Sequence, residues 1–121
     1  MQQAALFVGL DIPENIDPDL ENNYCLNAHS LFFHTKYTIR KVPSYLQLEK
    51  FNEFINQIVI FGRGNKNILK TVNRAEKLGW KILLVVDAVW DIDDNLIYDL
   101  TDLGCIPVTT NWIVSNFTIN I

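Results

Sequence analysis

Basic residues are in the minority: ten Lys and Arg stand against fourteen Asp and Glu, a formal charge of -4. That balance offers no long-range attraction to nucleic acid or to an anionic membrane surface, so neither partner is expected. Cysteine is scarce. Cys25 and Cys105 are the two in 121 residues, in unlike contexts and without a CxxC spacing, and they read as reduced packing thiols. His29 and His34 belong to no HxxxH or HExxH pattern; they read as lone surface histidines, and no metal or other cofactor is expected. Long apolar runs are missing as well. The first five residues carry no basic n-region, and the run over residues 4–10 is too short for a signal peptide or a membrane span. The expected setting is the cytoplasm. There is no internal repeat, low-complexity tract or linker, so residues 1–121 read as one domain. Its content, 49% hydrophobic and 20% charged, suits a soluble globular chain rather than a disordered one.

What is present is organised around residues 58–110. Ile58-Val59-Ile60-Phe61 reads as a strand, Gly62-Arg63-Gly64-Asn65 as a turn, and the following residues as a helix stopped by Gly79. Ile68, Leu69, Val72, Ala75 and Leu78 fall on one side of that helix, with Lys70, Asn73, Arg74 and Lys77 on the solvated side. Residues 81–86 form the most hydrophobic strand, expected at the centre of the sheet and closed by Asp87-Ala88-Val89. Asp93-Asp94 starts the next helix, with Ile97, Leu100 and Leu103 expected inside and Gly104 at its end. Residues 106–109 form a last strand, whose Pro107 suits an edge. Thr110 or Asn111 is expected to cap a final helix through Trp112, Ile113 and Phe117. Alternating strands and helices predict an α/β fold: three layers, α/β/α, around a mainly parallel, Rossmann-like sheet. Ligands of such sheets sit outside the carboxyl ends of the strands, so residues 62–67, Asp87 and residues 109–111 border the expected pocket.

The first half reads in the same terms. Leu6-Phe7-Val8-Gly9-Leu10 is an apolar run suited to a strand buried on both faces, ended by Asp11 and Pro13. Asp11 either caps the following turn or faces the pocket. Asp17-Pro18 predicts a helix start, with Leu20, Tyr24 and Ala28 on one face and an end near His29. Leu31-Phe32-Phe33 and Tyr37-Thr38-Ile39-Arg40 have the β-branched and aromatic content of short strands. Ser44-Tyr45-Leu46-Gln47 has the form of a capping box, opening a helix to about Asn56 that carries Leu48, Phe51 and Ile55 on one face.

Several pieces in order resemble the C-terminal half of the isochorismatase-like hydrolases, the superfamily of nicotinamidases and N-carbamoyl amide hydrolases. They are Ile58-Val59-Ile60-Phe61-Gly62, Leu78-Gly79-Trp80, Val85-Val86-Asp87-Ala88-Val89, Leu103-Gly104 and Val108-Thr109-Thr110. More loosely, residues 5–11 are similar to the family's opening strand, which ends in the catalytic aspartate, and Ile39-Arg40-Lys41 to the strand bearing the catalytic lysine. The resemblance thus implies catalytic positions at Asp11, Lys41 and Asn67, and ligand contacts at Arg63, Gly64 and Asp87. The sequence departs from the family at its nucleophile: counting back from Gly79, Asn67 stands where the family has cysteine, and residues 62–72 hold no cysteine. An asparagine amide does not become a nucleophile by losing a proton at neutral pH. The metal-binding Asp-x-His pattern of nicotinamidases is also absent.

Three functions follow from these readings. The first is a degenerate hydrolase domain, a pseudoenzyme that binds a small carboxylate or amide. The second keeps catalysis, through a relocated nucleophile or through Asp11 and Asp87 as a PIN-like or NYN-type metal-dependent nuclease site with Asp91, Asp93 and Asp94 nearby. The third is an interaction module, forming a homo-oligomer or meeting a protein partner, with Trp80, Trp90 and Trp112 as candidate surface aromatics.

Overall fold

A computed structural model describes residues 5–10, 23–34, 56–64, 66–90 and 92–117. Among these residues four strands, β1 (Leu6–Leu10), β2 (Gln57–Arg63), β3 (Lys81–Trp90) and β4 (Ile106–Val108), form one sheet in the order β1-β2-β3-β4, with every pairing parallel. Four helices accompany them: α1 (Asn23–His34), α2 (Lys66–Lys77), α3 (Asp94–Asp102) and α4 (Thr110–Asn116). The sheet is the middle of three layers. Its alternate residues feed two separate cores, as the two-residue period of a strand requires. Leu6, Val8, Ile58, Ile60, Ile82 and Leu84 face Ile68, Val72 and Ala75 of α2 and Leu100 of α3. Ala5, Phe7, Val59, Phe61, Leu83 and Val85 face Ala28 and Leu31 of α1 and Ile113 of α4. On that second face Phe7 meets Phe61 and Phe117 edge-on, with ring centroids 6.4 and 5.6 Å apart.

Two helix ends repeat one solution. Gly79 (φ 74°) and Gly104 (φ 92°) take the left-handed conformation after α2 and α3. The Gly79 and Trp80 amides return to the Glu76 and Ala75 carbonyls, and the Gly104 and Cys105 amides to those of Thr101 and Leu100. This paired closure satisfies carbonyls the helix leaves open and swings the next residue, Trp80 or Cys105, into the core. Cys105 is buried there, and burial pushes its thiol from 9.0 up to about 11.

β3 is an inner strand, flanked by β2 and β4, and Pro107 lies in an edge strand. Several expectations need correction. Leu31-Phe32-Phe33 is not a strand: it continues α1, whose buried side is Ala28 and Leu31, an i, i+3 pair, while Tyr24 is exposed. β-Branched and aromatic propensity yields here to burial of one helical face. In α3 the side chains turned inward are Leu96, Leu100 and Leu103, and Ile97 is exposed. Gly62 and Arg63 belong to β2, and Asp87 lies within β3 rather than closing it. The strand expected over residues 37–40 and the helix from Ser44 lie outside the described residues, as do Leu20 and the helix start at Asp17.

Candidate functional site at the carboxyl ends of the strands

The connections leave the sheet on opposite faces. The chain after β1 reaches α1 over one face, whereas β2 is followed at once by α2 over the other. In open parallel sheets a crevice forms at such a divergence, outside the carboxyl ends of the two strands. Leu10 pairs with Gly62 at that end of the sheet. Arg63, Gly64 and the start of α2 therefore emerge beside the point where β1 ends. Arg63 is exposed and Gly64 half-buried. Asn67 is the second residue of α2, on the turn whose amides have no intrahelical partner; only its backbone is described. Asp11 and Lys41 lie outside the described residues.

The turn is held open by an irregularity in the β2–β3 ladder. Ile60 pairs with Leu84 and Gly62 with Val89, so Phe61 alone stands opposite residues 85–88. Gly62, at φ 115°, supplies the backbone conformation that the resumed pairing requires. Pairing then runs to Arg63 and Trp90, and the Gly64 amide donates to the Trp90 carbonyl at 2.7 Å.

Asp87 occupies the excursion, half-buried, and its contacts are internal. One carboxylate oxygen, Oδ1, accepts from both the amide and the hydroxyl of Thr110, each at 2.8 Å, and its main-chain oxygen accepts from Asn27 Nδ2 at 2.7 Å. The residue thus ties β3 to α1 and to the first residue of α4. A carboxylate at that position also meets an unsatisfied helix amide. Thr109, not Thr110 or Asn111, caps α4: its hydroxyl accepts from the Trp112 amide at 3.1 Å. Asp93 caps α3 in the same way, accepting from the Leu96 amide at 2.7 Å. Thr109, Thr110 and Asp93 therefore serve helix starts. The Asn27 contact with Asp87, sixty residues apart, had no signal in the sequence.

The structure also corrects one pairing. Asp11 and Asp87 do not follow adjacent strands, because β2 lies between β1 and β3; strands two positions apart are separated by roughly 9.5 Å. Among the described residues no three His, Cys, Asp or Glu side chains cluster as a metal site would need. Of the thiols, Cys105 stands immediately before β4, at the amino end of the sheet, and Cys25 lies in α1. A separate open depression of about 350 Å³ borders Leu83, Ile106, Pro107, Val108 and Trp112 beside the edge strand. It is mostly apolar and stands away from the crevice. Of the tryptophans, Trp80 is buried, while Trp90 and Trp112 are half-buried against the second core. No helix among the described residues is long and apolar enough to cross a membrane.

No family model, no curated protein and no solved structure matches the chain.

Proposed function

We propose that the chain is a degenerate isochorismatase-like domain, catalytically silent as a hydrolase, that binds a small carboxylate or amide at the carboxyl ends of β1 and β2. One observation carries this reading. The divergence of α1 and α2 to opposite faces makes the natural crevice of the sheet coincide with the start of α2, where Asn67 stands. A nucleophilic thiol at that place would gain from the helix amides a lowered pKa and a stabilised oxyanion. Asparagine gains neither, but the same amides, with Arg63 at the exit of β2, suit a bound carboxylate. Cys105 does not replace the missing thiol. It is buried at the opposite end of the sheet, and its pKa of about 11 leaves it a neutral thiol at pH 7.

Two measurements test the reading. Small carboxylates and amides titrated into ¹⁵N-labelled protein are expected to move the amide signals of Gly62, Arg63 and Gly64, while amide and ester hydrolysis stays at the buffer rate. Asn67→Cys is expected to gain slow, alkylation-sensitive hydrolysis. Wild-type hydrolysis abolished by blocking Cys25 would sink the proposal in favour of a relocated nucleophile. Absence of any ligand-induced shift would leave a scaffold role.

A further inference from the structure

Charge is segregated along this chain in a way its small net value hides. All ten Lys and Arg lie between Lys36 and Lys81, and residues 82–121 contain six Asp and no basic residue. The fold brings the two blocks side by side. α2 and α3 touch and cover the same face of the sheet. Each returns from the carboxyl end of one parallel strand to the amino end of the next, so the two helices run in the same direction.

Their outer surfaces share one spacing. On α2, Lys70, Asn73, Arg74 and Lys77 form a stripe at i, i+3, i+4 and i+7, with Lys70 and Lys77 exposed; on α3, Asn95, Tyr98, Asp99 and Asp102 form another, all four exposed. Each spans about 10 Å of helix. The acidic stripe sits badly in the monomer. Asp99 and Asp102 occupy the last turn of α3, where the helix dipole favours a cation, and that turn has no basic residue. Beside them Tyr98 is 69% exposed, so the patch also offers an aromatic side chain to a partner.

We propose that this face is the interface of a homodimer, in which the basic stripe of α2 lies on the acidic stripe of a second copy's α3. A two-fold axis parallel to the helices makes the contact twice over, as an isologous interface requires. It sets the exposed Lys77 of α2 toward the exposed Asp102 of the partner's α3, beside the partner's Tyr98. An axis across the helices would set like charge on like. The surface lies on one outer layer and not at the carboxyl-end crevice, so the inference stands independently of ligand binding there.

Light scattering across a concentration series tests it. The wild-type protein is expected at twice the monomer mass in about 20 mM salt, with dissociation at least tenfold easier in about 500 mM. Lys77→Glu and Asp102→Lys are each expected to give monomers with unchanged circular dichroism. Mixing the two variants restores opposite charges at both copies of the contact and is expected to restore the dimer. A monomer at every salt concentration overturns the proposal. So does a dimer that both single variants leave intact, which would place the contact elsewhere, for instance at the apolar depression beside β4.

Discussion

Asp87 shows how one residue type serves two different ends. A carboxylate near the carboxyl end of a parallel strand borders the place where such sheets bind ligands. Here its Oδ1 is committed to the amide and hydroxyl of Thr110, and its carbonyl to Asn27. Hydrogen bonds to a charged acceptor contribute about 1.5–3 kcal/mol each, and an orphaned helix amide adds a penalty of its own. Asp87→Ala is therefore expected to destabilise the domain by about 3 kcal/mol or more in denaturant titrations, with hydrogen exchange accelerated first at the start of α4. Thr110→Val, which removes the hydroxyl and keeps the amide, should cost about 1.5–3 kcal/mol. An Asp87→Ala variant of full stability that had lost ligand binding would return Asp87 to the crevice.

At the scale of elements, α2 and α3 owe their boundaries to local chemistry. Asp93 starts α3, and Gly79 and Gly104 end the two helices with the same pair of backbone hydrogen bonds. A Cβ built on either glycine meets nothing within 4 Å. The cost of Gly79→Ala or Gly104→Ala is then purely that of a left-handed backbone, about 1–2 kcal/mol for each. The two costs should add in the double variant, since the sites lie in different helices. Chemical denaturation of the three variants measures this. A loss well above that range at either site would mean that the neighbouring chain moves against the new methyl group.

At the scale of the molecule, one sheet separates two cores that share β1, β2 and β3. Within β1, Leu6 and Val8 belong to one core and Phe7 to the other; β2 and β3 alternate likewise. Neither face can lose its packing without disturbing the strand that carries the other, so unfolding is expected to be a single cooperative step. The tryptophans make this measurable: Trp80 is buried in the α2–α3 core, and Trp112 packs against the opposite one. Proteins retaining only Trp80 or only Trp112 should show coincident denaturation curves. Ile68→Ala, a truncation at a fully buried site, should shift both curves together by about 2–5 kcal/mol. Two separate transitions would mean that the faces fold as independent units.

Sequence alone determined what rests on neighbours close along the chain. The strands β1 to β4 follow from apolar runs, the inward side of α2 from helical spacing, its end and that of α3 from glycine, and the edge position of β4 from Pro107. Tertiary structure decided the matters that depend on which surfaces meet. Leu31-Phe32-Phe33 carries strand propensity, yet α1 continues through it because Ala28 and Leu31 fill one helical face against the sheet. Leu96 displaces Ile97 from the interior of α3 because the sheet and α2 lie on only one side of that helix. The separation of β1 from β3 and the commitment of Asp87 to Thr110 and Asn27 depend on pairings many residues apart, which no local pattern encodes. The same holds for the charged stripes. Their residues are legible in the chain, but their alignment on one surface arises only where two parallel crossovers lay α2 beside α3.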